Sequence, residues 1–205
     1  MIEKVKRISD YVPPEALPVL NNWFAPFNFE LKVTRKRNTK LGDFRAKHFL
    51  TSHQITVNGN LNPYAFLITL THEFAHLLVF ENNKRRVLPH GKEWKNQFSV
   101  LLFELLAINI FPEDIRQVLL KHAENPAASS VRDVALTKVL NQYNHDSDTT
   151  YLHELPKGAV FSIHNKKQFV KGEKRRTRYL CTDVRTKKQY LVHGIAEVQP
   201  EIVNN

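Results

Sequence analysis

Asn62-Pro63-Tyr64-Ala65-Phe66-Leu67-Ile68-Thr69-Leu70-Thr71-His72-Glu73-Phe74-Ala75-His76-Leu77-Leu78-Val79-Phe80 is the stretch on which the reading of this chain turns. Asn62 is a cap-type residue and Pro63 suits the first helical position, so a helix opens here. It is apolar on most sides, which predicts the buried centre of the fold rather than a surface helix. Inside it stands H-E-x-x-H: His72, Glu73 and His76. Imidazoles four residues apart leave one helix face together and can reach a single Zn²⁺. Glu73 would act as general base on a zinc-bound water whose pKa the metal lowers to about 7. A carboxylate flanked by histidines on a buried apolar helix is costly unless a metal or a partner compensates it.

A catalytic zinc takes a third protein ligand and keeps one open position. The H-E-x-x-H-x-x-G-x-x-H spacing is absent, since Val79 and Asn82 occupy the places of the glycine and the last histidine. Downstream candidates are His90, Glu93 and Glu104. His90 follows His76 by 14 residues, just ahead of the next helix, and a turn there could face it back toward the pair. Spacing puts His90 first, with Glu93 and Glu104 left open as carboxylate alternatives.

Upstream of the central helix, residues 14–24 read as a short helix behind Pro13-Pro14. Residues 29–35 alternate apolar and polar at period two, as a half-buried strand does. Residues 41–45 and 54–57 predict two more strands, and Asn58-Gly59-Asn60 a closing turn. Downstream, Lys84-Arg85-Arg86 marks the helix exit. A helix then begins near Gly91 with Trp94, Phe98, Leu101, Leu102 and Leu105 at helical spacing. Another starts at Pro112, acidic first and basic last. Ser130-Val131-Arg132-Asp133 has capping-box spacing before a last helix ending near Gln142.

Residues 144–156 read as a polar linker, and beyond them short strands are expected at 159–163, 168–170, 178–181 and 189–192. Charge concentrates there. The 205-residue chain carries a formal +10; residues 157–194 alone carry +9 and residues 32–47 carry +6, so the remainder is net acidic. Such an excess suits polyanions, DNA or RNA first. Lys171, Lys174, Arg175, Arg176 and Arg178, beside Phe169 and Tyr179, are the candidate nucleic-acid contacts. A solvated basic turn explains the same residues equally well. One cysteine, Cys181, excludes an intrachain disulfide and a four-cysteine zinc site, and is read as a small core residue. His145, Asp146, Asp148, His153 and Glu154 read as ordinary linker polarity rather than a second metal site. The charged N-terminus holds no signal-peptide core, so a cytoplasmic protein without a membrane partner is expected. The deaminase signature is absent.

HEFAH followed by Pro89-His90-Gly91-Lys92-Glu93-Trp94 resembles the SprT-like family, whose eukaryotic relatives include the Spartan DNA–protein crosslink proteases. Residues 41–45 and 55–58 are similar to that family's strands before its active-site helix, and the likeness covers residues 15 to 110. The resemblance implies a zincin-like metalloprotease core, one zinc ion on His72, His76 and His90, and Glu73 as the base. The tail departs from the pattern. It resembles the zinc ribbon of bacterial relatives in rhythm, but Phe161, Ile163 and Val184 stand where cysteines are expected, leaving Cys181 alone.

The expectation is therefore an α+β protein. A zincin-like core spans 1–143, with a small three-stranded sheet, the active-site helix and further helices. A linker spans 144–156, and a basic all-β unit, a degenerate zinc ribbon without zinc, spans 157–205. The expected function is a zinc-dependent metalloendopeptidase acting on proteins at or near nucleic acid. The alternative is a non-catalytic, zinc-containing protein attached to nucleic acid or to transcription machinery.

Overall fold

The computed structural model describes residues 1–37, 39–48, 51–83, 87–127, 133–144, 150–163 and 167–201. The chain divides into two compact units, Met1–Asn144 and His145–Asn205. Each builds its own core.

In the first unit a short helix α1 (Glu3–Lys6) and two 3-10 turns lead into α2 (Leu17–Phe24). Residues 14–16 form one of those turns, so the α-helix expected from Pro14 starts at Leu17 instead. Three strands follow, β1 (Phe29–Thr34), β2 (Gly42–Arg45) and β3 (His53–Asn58), in the order β1-β3-β2. β3 runs parallel to β1, with Leu31 opposite Ile55, and antiparallel to β2, with Phe44 opposite Ile55. β2 is thus an edge strand, and its register decides what lies over the next helix.

That helix is α3 (Pro63–Asn82), capped by Asn62 Oδ1, which accepts from the Ala65 N–H at 2.9 Å. By length and hydropathy alone it would pass for a membrane span, yet 67% of that window is buried, as in a core helix. Phe74 is packed among Phe24, Phe29, Trp23 and Phe27, with the Phe24 ring edge-on at 4.8 Å. This cluster ties α2 and the sheet to one side of α3, while α4 (Lys92–Ala107) covers another through Trp94, Phe98, Leu101, Leu102 and Leu105, all buried.

α5 (Glu113–Glu124) and α6 (Val134–Asn141) complete the unit. Asp133, expected inside the capping box, stands at the start of α6 in the structure. Asp133 is itself the N-cap, its Oδ1 accepting from the Leu136 N–H at 3.1 Å while Oδ2 lies 2.8 Å from His122 Nδ1. Ser130, Val131 and Arg132 lie outside the described residues, as does the expected helix exit at Lys84-Arg85-Arg86.

The second unit is one antiparallel sheet in the order β4-β9-β5-β6-β7-β8. Its strands are β4 (Thr150–Tyr151), β5 (Val160–Ser162), β6 (Gln168–Arg175), β7 (Arg178–Asp183), β8 (Gln189–His193) and β9 (Glu197–Pro200). Leu152, Phe161, Phe169, Cys181 and Val198 form its core. Phe161 and Cys181 are fully buried, so apolar contact occupies the interior of this sheet. A bulge between Lys171 and Lys174 brings Gly172 so near β7 that a Cβ would collide with the Leu180 carbonyl oxygen.

Candidate metal centre

Helical geometry places His72 and His76 one above the other on α3, as their spacing requires. The third imidazole arrives by a different route. Leu88-Pro89-His90-Gly91 is a tight turn closed by a 2.9 Å bond from the Gly91 N–H to the Leu88 carbonyl, and His90 sits in it at φ 59°. Proline suits the second position of such a turn, and the third position demands the left-handed region that glycine or asparagine ordinarily fills. A histidine there accepts backbone strain.

In return its ring faces the α3 pair. His90 Nε2 lies 3.1 Å from His72 Nε2 and 3.1 Å from His76 Nε2. All three ligand atoms fall within 4.8 Å of one another. Three nitrogens bound at ordinary zinc distances around a tetrahedral ion are about 3.3 Å apart, so the donor set fits such an ion in both chemistry and spacing.

Trp94, fully buried on α4, is the platform beneath them. Its ring lies 4.5 Å from His72, 5.4 Å from His76 and 4.7 Å from His90 between centroids, and its Nε1–H reaches the His72 carbonyl at 3.4 Å. The sequence reads Trp94 as helix core at the end of the Pro89–Trp94 segment; its contact with all three rings depends on the turn at His90. Burial and the neighbouring imidazoles hold the His72 pKa down to about 3, and burial with His90 beside it holds His76 down to about 4. Both rings are therefore neutral near pH 7, the form that ligates metals.

Glu73 leaves α3 on the side of the sheet. Gly42 of β2 makes room for it: a Cβ there would stand 2.6 Å from Glu73 Oε1 and 2.7 Å from its Cγ. The Phe44 backbone N–H favours the ionised carboxylate slightly. Burial nonetheless pushes the Glu73 pKa up to about 8, Asp43 adding to the rise while Arg37 and Lys40 oppose it. The Phe44 ring lies nearly parallel to that of His76, 6.4 Å away at an interplanar angle of 7°. Neither Gly42 nor Phe44 stands out in the sequence beyond belonging to a strand.

The carboxylate alternatives for the third ligand lie elsewhere. Glu104 Oε2 accepts from Trp23 Nε1 at 2.7 Å, and Glu93 keeps its carboxylate beside Gly91 in the first turn of α4. His153 Nδ1 lies 3.1 Å from the Gly194 carbonyl, and Glu154 accepts from the Tyr151 N–H at 2.7 Å. Both serve the turn after β4. His145, Asp146 and Asp148 lie outside the described residues.

The basic candidates of the second unit split. Lys174, Arg175, Arg176 and Arg178 are exposed at the β6–β7 hairpin. Lys171 is not among them. It is buried, its ammonium donating to the His153 and Leu155 carbonyls and lying 4.1 Å over the Tyr179 ring. It is a structural cation, turned away from any phosphate, because its place just before the bulge points it into the sheet's core. In the first unit, several cations of the basic stretch 32–47 have acidic partners: Lys32 pairs with Glu30, Lys40 and Arg45 with Asp43, and Lys47 with Glu81.

No curated protein and no solved structure matches the chain. Over residues 18–102, which run from α2 into α4 and carry His72, Glu73, His76 and His90, the chain matches the SprT-like family.

Proposed function

We propose that the first unit is a zinc-dependent metalloendopeptidase core of the zincin type, with His72, His76 and His90 as metal ligands and Glu73 as general base. The observation that carries this reading is the meeting of three Nε2 atoms, with a carboxylate one residue away on the adjoining side. It falls within the segment that matches the SprT-like family. A divalent cation held by His72, His76 and His90 would supply a Lewis acid toward water and the scissile carbonyl, and its charge would favour the ionised Glu73 carboxylate. Glu73 takes a proton from the attacking water as its oxygen bonds to the carbonyl carbon. It then delivers that proton to the departing amide nitrogen as the C–N bond breaks. The bare Cα of Gly42 leaves space for the carboxylate, which a β-carbon there would take.

The test is hydrolysis of an unfolded protein such as casein by the zinc-loaded chain. Chelator should abolish cleavage and added zinc restore it. Glu73→Gln should lower the rate by about 10²–10⁴-fold while zinc content stays at that of the parent. Full activity in that variant would remove the proposed base.

The exposed Lys174, Arg175, Arg176 and Arg178 favour an added role, attachment of the second unit to nucleic acid near the protein substrate. Triple charge reversal at the three arginines should weaken DNA or RNA binding and flatten its salt dependence. Binding through this hairpin alone, with Glu73→Gln fully functional in its biological role, would instead favour a non-catalytic attachment protein.

A further inference from the structure

His53 lies outside the histidine cluster, yet it is built into the site's far wall. It opens β3, is buried, and stacks on Phe44 at 5.7 Å and 25°, so that Phe44 stands between His53 on one side and His76 on the other. Phe80, one turn beyond His76 on α3, meets both rings, at 6.2 Å from Phe44 and 5.2 Å from His53.

The His53 ring is fixed at both nitrogens. Nδ1 accepts the backbone N–H of Lys47 at 3.1 Å, which leaves the ring hydrogen on Nε2. Nε2 then donates to Glu81 Oε1, 2.7 Å away in the last turn of α3. One imidazole thereby joins three pieces of chain: the segment leaving β2, the start of β3 and the end of the metal-site helix. Among the described residues the edge strand β2 has a sheet partner on one side only, so this pin acts on the strand whose Gly42 lies against Glu73.

We propose that His53, anchored by Glu81, is a positioning residue that keeps the Phe44 ring against His76 and so holds β2 over Glu73. As a statement about turnover this rests on the peptidase reading; as a statement about the geometry of the histidine site it does not. A hydrogen-bonded neutral imidazole suits the task because it is flat enough to stack and polar enough to be pinned at both ends. A phenylalanine would stack without the pins.

Glu81→Ala, Glu81→Gln and His53→Phe test it. Glu81→Ala removes the acceptor, whereas the amide oxygen of Glu81→Gln still accepts from Nε2. Supporting partners of metal sites are worth about 10–100-fold in metal affinity or activity. Glu81→Ala and His53→Phe should therefore lower kcat by at least about 10-fold with KM little changed and zinc stoichiometry intact. Glu81→Gln should restore most of the rate. A parallel measurement follows metal loss from the cobalt-loaded chain to a chelator by visible absorption. It should quicken in Glu81→Ala and His53→Phe and stay at the parent rate in Glu81→Gln. If the parent shows no hydrolysis, the peptidase reading falls and the cobalt measurement still decides the role of His53. Parent-like metal loss in both disruptive variants, or a defect that Glu81→Gln shares, would overturn the proposal.

Discussion

His72 and His76 stand on a regular helix, where their convergence costs nothing beyond the spacing of residues. His90 reaches the same point from a four-residue turn, in a backbone conformation that its side chain disfavours. The two routes teach different things about how a site is encoded. On α3 the same regular helix that is buried as core also sets the two imidazoles on one face, so one element serves both ends. At His90 the fold would be better served by glycine or asparagine, and histidine is kept for what its ring does.

The largest effect that probes this comparison is loss of metal. Binding free energies of about 10–16 kcal/mol for four-ligand zinc sites imply roughly 3 kcal/mol per ligand. His76→Ala and His90→Ala should each weaken zinc binding by more than about 100-fold, measured by competition with a chromophoric chelator. Equal affinity in His90→Ala and the parent would reduce the site to the helical pair.

This division matches what could be read from the chain. The H-E-x-x-H pair follows from the helical repeat, and the central helix from its cap and its apolar length. The first strand follows from period two and the next two from the turn residues around them. His90 rose above Glu93 and Glu104 by spacing, then by family likeness, because a turn leaves no periodic trace. Gly42, Phe44 and Trp94 belong to the site through contacts between elements, and pairing across a sheet or against a helix is not written in local pattern. The same holds in the second unit. β4 is two residues long and lies inside the expected linker, and β9 pairs with it and with β5 across long separations in sequence. Lys171 shows the converse: composition marked it as surface charge, and only the bulge reveals that it is interior.

A smaller effect should follow from closing the space that β2 leaves for Glu73. Gly42→Ala would press a methyl group onto the Glu73 side chain and, at 2.9 Å, onto Thr69 Cγ2. Overpacking of this kind costs about 1–3 kcal/mol. Urea unfolding should detect it, and hydrolysis should fall further than stability because the displaced group is the proposed base. A parent-like variant in both measurements would show that Glu73 moves aside freely.

The α3 groups also give the metal-free protein a pH signature. His72 and His76 titrate at about 3 and about 4 in the fold, below an ordinary histidine, so the unfolded chain binds their protons first. Their contribution to stability is present above about 6.5 and lost as pH falls. Glu73 works in the opposite direction. With its pKa raised to about 8, its contribution is present below about 4.5 and lost as pH rises toward 8. Two rising contributions against one falling one place the maximum near pH 6.5, with a loss of about 2 kcal/mol between there and pH 8. Chemical denaturation in chelator across this range measures it, and Glu73→Gln should flatten the alkaline limb and steepen the rise between about 4.5 and 6.5.

The smallest effect separates the two routes most cleanly. In metal-free protein His90→Asn keeps a residue that tolerates φ 59°, since asparagine enters the left-handed region more readily than histidine. It should leave stability unchanged or raise it by about 0.5 kcal/mol. His72→Asn, on α3, strips away the ring packed on Trp94, so it should cost at least about 0.5–1 kcal/mol. Both variants lose a proposed metal ligand, but only the α3 substitution also damages the fold that presents it. If His90→Asn proved as destabilising in chelator as His72→Asn, the turn would depend on the imidazole for its own structure. The strain at φ 59° would then be repaid by packing on Trp94 rather than by a ligand.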